Sequence, residues 1–268
     1  MFMPLASALN RPQKRLMSKY ALSADGMRIA YDILGEGPPV LLIHGFGANR
    51  RITWENTGWY DALVRAGHKV LAVDCRGHGE SEKPHDPAAY DEGSMAADAL
   101  AVLDAEGIET ADVMGYSMGG YLTLRLAHDA PHRVGRAVLG GVGATYFGYW
   151  KGRDERVAAA LLAPDAGAIT DPLGLEFRRF AEAAKGDLTA LAACMRRPRR
   201  IFTRDELHRL TQEFLIVCGE ADDVSGSAQG LAIYFAHAEA VSVPGRDHHR
   251  TVGDTRYKQA VTEFLARR

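Results

Sequence analysis

The 268-residue sequence predicts an α/β protein, an eight-stranded and mostly parallel sheet flanked by helices, with one short helical insertion. Three observations carry that expectation. Eight short apolar runs rich in β-formers recur along the chain, segments of helical periodicity alternate with the later runs, and that alternation lapses once, between residues 145 and 211.

The runs fall at 20–23, 27–34, 39–44, 69–74, 111–115, 137–140, 213–218 and 240–243. Asp25-Gly26 separates the first two and reads as a hairpin turn, whereas helical patterns at 94–106, 118–130, 228–236 and 255–268 interleave with the later runs. Strand and helix in alternation imply right-handed crossovers, and ligands are then expected outside the carboxyl ends of the strands. From 145 to 211 the chain offers short helices instead. One spans 153–163, one is opened by Asp171-Pro172, one by Asp187, and one by the capping box Thr203-Arg204-Asp205-Glu206. The expected organisation is a core of 18–144 and 212–268, a helical lid at 145–211, and a flexible N-terminal extension at 1–17. That extension carries Arg11, Lys14 and Arg15 without a continuous apolar stretch, so it does not read as a secretory signal.

Composition narrows the partner. The chain is 47% hydrophobic and 25% charged, ordinary for one globular domain, with a net charge of −2 and therefore no global field to attract nucleic acid or an anionic membrane. A small-molecule substrate is the expected partner; the oligomeric state is left open. No run is long enough to span a bilayer. Cys75, Cys194 and Cys218 are widely spaced and form no CxxC, so neither a zinc site nor a disulfide framework is indicated, and a reducing, cytoplasmic setting fits.

The chemistry centres on Gly115-Tyr116-Ser117-Met118-Gly119, set between an apolar strand and a helical pattern. A serine attacks well when a sharp turn presents it to a base and to a backbone N–H, and such a turn leaves no room for side chains two residues either side. The run 40–43 leads into His44-Gly45-Phe46-Gly47, whose glycines let the backbone turn an N–H toward the same place. The main-chain N–H groups of Phe46 and Met118 are the candidate oxyanion donors. His44, at a strand end before the nucleophile, reads as a structural hydrogen-bonding residue. The loop after 137–140 carries no carboxylate, while that after 215–218 reads Gly219-Glu220-Ala221-Asp222-Asp223. Asp222 is the candidate orienting acid and Asp223 the alternative; capping of a helix near Ser227 is the competing account. After the last strand, His248 and His249 stand side by side, and His248 is the candidate base. The order Ser, Asp, His is the one this strand–turn–helix arrangement uses.

Other residues are less decisive. Tyr116, Tyr146, Phe147 and Trp150 are candidate substrate-lining aromatics, although packing of the insertion explains the last three equally well. Arg196-Arg197-Pro198-Arg199-Arg200 either meets an anionic substrate or forms a solvated helix end. Asp74-Cys75-Arg76-Gly77-His78-Gly79 reads as a turn of structural hydrogen bonds.

Together, His44 to Gly47, Asp74 to Ser81, Gly115 to Gly120, Gly219 to Asp222 and Gly245 to His248 resemble, in order and spacing, the motifs of the α/β-hydrolase fold family. The resemblance is to its serine-nucleophile branch and runs from about residue 20 to the end, with GxSMGG similar to a group of bacterial carboxylesterases. It implies that Asp222 and His248 hold the acid and base positions, and that no metal or organic cofactor is needed. A carboxylesterase acting on small or medium esters is expected. The alternatives are hydrolysis of a lactone, thioester, amide or carbon–carbon bond, acyl or peroxide transfer, and a receptor-like pocket. Because the base must be neutral, turnover is expected to fall on acidification through roughly pH 6 to 7, the ordinary histidine range.

Overall fold

A computed structural model describes residues 17–148 and 152–267. Its strands are β1 (Lys19–Leu22), β2 (Arg28–Leu34), β3 (Pro39–Ile43), β4 (Lys69–Val73), β5 (Ala111–Tyr116), β6 (Val134–Gly140), β7 (Phe214–Gly219) and β8 (Ala238–Val243). They form one sheet in the order β1-β2-β4-β3-β5-β6-β7-β8. β1 and β2 make the expected hairpin, with Gly26 at φ 81°, and β2 meets β4 antiparallel; every later pair is parallel.

The helices are α1 (Trp59–Arg65), α2 (Glu92–Ala105), α3 (Met118–Asp129), α4 (Arg153–Leu162), α5 (Pro172–Ala183), α6 (Leu188–Met195), α7 (Arg204–His208), α8 (Ala228–Ala232), α9 (His248–Thr251) and α10 (Thr255–Ala266). Period-two alternation in the central strands divides the core. Leu41, Ile43, Val113 and Leu139 face α2 and α3, whereas Val40, Leu42, Met114 and Val138 face α1 and α10. Strands buried on both faces need continuous apolar sequence, which is why these runs stand out in the chain.

Several boundaries differ from expectation for local reasons. α2 begins at Glu92 because the Asp91 carboxylate accepts from Gly93 N–H. α8 stops at Ala232, and β8 starts at Ala238 beside Phe214, two residues before the expected run. α1 is too short to show a period, yet Trp59 is fully buried and edge-on to Tyr257 of α10, with ring centroids 5.0 Å apart.

Between β6 and β7 lie α4 to α7. Val157 and Leu161 of α4, Ala181 of α5, and Leu191 and Met195 of α6 form a separate apolar cluster, and Phe46 from the loop after β3 packs against it. The insertion therefore rests on the carboxyl ends of the strands. The extension expected at 1–17 lies, except for Met17, outside the described residues.

Candidate active site

Ser117 joins β5 to α3 at φ 52°, a left-handed value shared by one other non-glycine among the described residues, Lys185. The flanking glycines explain how that turn is accommodated. A Cβ on Gly115 would lie 2.0 Å from the Gly119 carbonyl oxygen, so neither a side chain nor a shift of the helix start fits there. The Met118 N–H opens α3, a helix of twelve residues whose first N–H groups lack intrahelical partners. Phe46 and Met118 both border the cavity into which Ser117 faces.

His44 is fully buried. Its Nε2 accepts from Cys75 N–H at 3.0 Å and its Nδ1 lies 2.7 Å from the Gly45 carbonyl, so the ring is a neutral bridge between the ends of β3 and β4. Burial pushes it below the ordinary imidazole value against the opposing pull of Asp74. The Asp74 turn is likewise structural: its carboxylate accepts from the N–H groups of Arg50 and Glu80, and Arg76 clasps Asp98.

His248 sits at the start of α9, where Asp247 accepts from Arg250 N–H and winds the loop into one helical turn. Its Nε2 is 3.1 Å from Ser117 Oγ and its Nδ1 is 2.9 Å from Asp222 Oδ2. The Tyr116 hydroxyl donates to the His248 carbonyl, and its ring lies 5.5 Å from the imidazole. His249 points elsewhere: it is largely exposed and pairs at 3.3 Å with Glu176 of α5.

Asp222 is buried, while Asp223 is exposed. Asp222 Oδ1 accepts from the N–H groups of Val224 and Ser225 at 3.1 and 2.8 Å. Burial pushes this carboxyl up, but bonds and charge from His248, with further bonds from Ser225, outweigh it and hold the group below its ordinary value. The helix that follows is capped by Ser227 rather than by either acid.

Two cavities meet at Ser117. The larger, about 540 Å³, is mostly apolar, with walls that include Ile52, Tyr116, Leu173, Phe177, Phe180 and Val252. The smaller, about 60 Å³, is polar and bordered by Tyr121, Arg153, Asp154, Arg197, Arg199 and Ser225. The basic run is thereby divided. Arg196 and Arg200 turn outward to Glu155 and Glu206, whereas Arg197 and Arg199 turn inward, toward Glu92 at 3.8 Å and Asp154 at 2.9 Å. Arg153, Arg197, Arg199 and Asp154 thus border the small cavity with Ser117, and Arg197 also faces Glu92. Burial pushes the Arg199 and Arg153 values down, and neighbouring Arg197 adds to the effect at Arg199, yet both stay charged at neutral pH.

Tyr146 and Phe147 border neither cavity. The Tyr146 hydroxyl accepts from Phe202 N–H at 2.8 Å and its ring stacks on Tyr121, while Phe147 packs edge-on against Tyr234. Both belong to the core under α8, and Trp150 lies outside the described residues. Ser225 and Arg153 were not singled out in the sequence, since they come to the site only through the fold; Tyr121, four residues after Ser117 on α3, was also missed although it carried a usable helical-spacing signal. Among the described residues no cluster of three or more His, Cys, Asp or Glu could hold a metal, and no helix is long and apolar enough to cross a membrane.

Comparison with known proteins agrees with this architecture. A model of the alpha/beta hydrolase fold matches residues 38–166. Over 279 aligned positions the chain is 32% identical to a 2-hydroxymuconate semialdehyde hydrolase of Pseudomonas putida, covering 96% of this chain and 98% of that protein. A hydrolase from Pseudomonas aeruginosa PA01 superposes with a TM-score of 0.78 at 28% identity, covering 93% and 98% of the two chains. The esterase RhEst1 from Rhodococcus sp. ECU1013 gives 0.71 at 25% identity with the same coverage. With its eight-stranded sheet, its glycine-flanked serine turn and a relative aligned over nearly its whole length, the chain belongs to the α/β-hydrolase family and is a hydrolase.

Proposed function

We propose that the protein is a serine hydrolase acting on small or medium carboxylic esters through an acyl-enzyme, with Ser117 as nucleophile, His248 as base and Asp222 as the acid that orients it. The observation that carries this reading is the continuous hydrogen-bonded path from Asp222 Oδ2 through His248 to Ser117 Oγ, at 2.9 and 3.1 Å, opening on a roomy apolar cavity. His248 Nε2 takes the hydroxyl proton as Ser117 Oγ attacks the carbonyl carbon. The N–H groups of Phe46 and Met118 meet the oxyanion. The imidazolium then gives its proton to the leaving alcohol, and a water deprotonated by the same nitrogen releases the acid. Asp222 keeps the proton on Nδ1, leaving the Nε2 lone pair facing the hydroxyl. Residues 145–211 act as the lid over the core formed by 18–144 and 212–268: Phe177 and Arg153 from this segment border both cavities. The three unpaired, buried cysteines suit a cytoplasmic enzyme.

A second reading is favoured by one feature of the site together with one relative. The arginine-lined cavity suits a substrate with an anionic group close to the scissile carbonyl, and the near-full-length relative is named as a hydrolase of 2-hydroxymuconate semialdehyde. In that reading Ser117 Oγ bonds to the ketone carbon of an acidic ring-cleavage product as the carbon–carbon bond breaks, the leaving electron pair is delocalised into the conjugated acid and takes up the proton held by His248, and water then releases the acyl group from Ser117. The test is a panel of neutral esters, acidic esters, lactones, thioesters, amides and a dienoic keto acid, with Ser117→Ala as blank. Turnover of neutral esters supports the first reading; turnover confined to the keto acid supports the second, and turnover equal to the blank throughout would sink both.

A further inference from the structure

Ser225 lies three residues after Asp222 and is buried. Its carbonyl accepts from Thr145 N–H at 3.0 Å and from the Thr145 hydroxyl at 2.9 Å, which pins the loop after β7 to the loop after β6. With its backbone so held, the side chain has a fixed place. Its Oγ is 3.1 Å from His248 Nδ1, the nitrogen that also faces Asp222 Oδ2 at 2.9 Å, and its own N–H donates to Asp222 Oδ1 at 2.8 Å. A hydroxyl oxygen can offer a lone pair to Nδ1–H beside the carboxylate. Alanine cannot.

We propose that Ser225 is a positioning residue whose hydroxyl oxygen shares the Nδ1–H of His248 with Asp222 and so fixes the imidazole with its Nε2 lone pair toward Ser117. The proposal rests on the triad reading and extends it by a fourth side chain. The contact does more than orient. When His248 carries two protons its Nδ1–H becomes a charged donor, and bonds to charged donors are about twice as strong as neutral ones. The hydroxyl oxygen therefore stabilises the imidazolium that forms as Ser117 attacks, and contributes little when substrate merely binds. The other titratable groups around this contact are Tyr116 from the end of β5, Cys218 of β7, whose thiol burial and Asp222 push up to about 12, and His249 beside His248, with Glu176 of α5 reaching His249.

The experiment compares Ser225→Ala and Ser225→Thr with the wild-type enzyme, reading kcat, KM, the pH profile of kcat/KM and the thermal midpoint on a turned-over ester or keto acid. Ser225→Ala should lower kcat roughly tenfold, the scale of one hydrogen bond to a charged group, with KM little changed. The acidic limb should move to lower pH, because the imidazolium has lost an acceptor, and threonine should restore most of the rate. Wild-type kcat and an unmoved limb in Ser225→Ala would overturn the proposal. So would a rise in KM alone, which marks a substrate contact, or a rate loss with an unmoved limb that threonine fails to rescue, which marks packing. If the alanine variant fails to fold, Ser225→Cys, which keeps the volume with a much weaker hydrogen bond, reads the same quantities. Ser117→Ala and His248→Ala run alongside: full activity in either rejects the triad itself, an outcome distinct from failure of the Ser225 contact.

Discussion

Gly119 packs under β3 so closely that a Cβ placed on it would fall 2.0 Å from the carbonyl oxygen of Ile43. The obstruction is backbone on both sides, so relief requires α3 and the nucleophile turn to move off the sheet. Gly119→Ala should cost about 3 kcal/mol, the upper range for overpacking, and abolish most turnover; urea denaturation and an activity assay check it. Gly107 provides the contrast. It too has positive φ, but nothing lies within 4 Å of its Cβ position, so Gly107→Ala should show only mild backbone strain and full activity.

Ser117→Ala or His248→Ala should lower kcat by roughly 10⁵ to 10⁶, the scale on which a serine triad loses its nucleophile or base. His249→Ala removes an exposed pair with Glu176 and a ring at the edge of the large cavity, and should change kcat by no more than about fivefold. The reverse pattern in steady-state kinetics would reassign the base.

Arg197 borders the small cavity and faces the buried Glu92. The double variant Arg197→Met with Glu92→Gln removes one cation and one anion together, so the net charge stays the same and the comparison reads the direct contact of the Arg197 guanidinium without stranding the carboxylate. The ratio of kcat/KM for an acidic ester to that for its neutral analogue should fall by roughly tenfold to a hundredfold, as expected for one charged hydrogen bond. Because damage to the fold affects both substrates alike, an unchanged ratio would show that the arginines only hold the insertion in place.

Stability should fall in acid over a defined window. The Ser18 hydroxyl, with Arg50, holds the Glu80 carboxyl down at about 2 from an ordinary 4.5, and Arg76 holds Asp25 at about 2 from 3.8. Groups with depressed folded values contribute stability that is complete above their unfolded values and lost as pH falls through the folded ones. The urea midpoint should therefore hold to about pH 5 and decline from about 4.5 toward 2, and Glu80→Gln should flatten part of that decline.

The sheet was legible because its central strands are buried on both faces and must be continuously apolar, and Ser117 was legible because its turn excludes side chains at positions 115 and 119. Asp222 and His248 were read from their place after late strands; the backbone donors around Asp222 and the cap at Asp247 are what bring these two, rather than Asp223 and His249, within hydrogen-bond reach of each other. The arginine run was not legible. Which of five consecutive residues turn inward is set by where α6 ends against α4, a tertiary fact with no local signal. Tyr146 and Phe147 were open for the opposite reason: aromatic rings suit a pocket wall and a core equally, and here the hydroxyl of Tyr146 serves Phe202 N–H. Ser225 gave no signal because serine in a loop is ordinary until Nδ1 of a distant histidine is seen beside it.

Tyr116 ends β5, yet its hydroxyl holds the main chain of His248, 132 residues away, and its ring lies 6.3 Å from that of Tyr257 on α10. The strand that leads into Ser117 therefore also anchors His248. On heating, the two cannot drift apart while β5 stays in the sheet, so activity should persist up to the cooperative melting of the core and vanish with it. A calorimetric transition and the loss of turnover should coincide on one temperature axis, and Tyr116→Phe should separate them, with inactivation moving to the lower temperature.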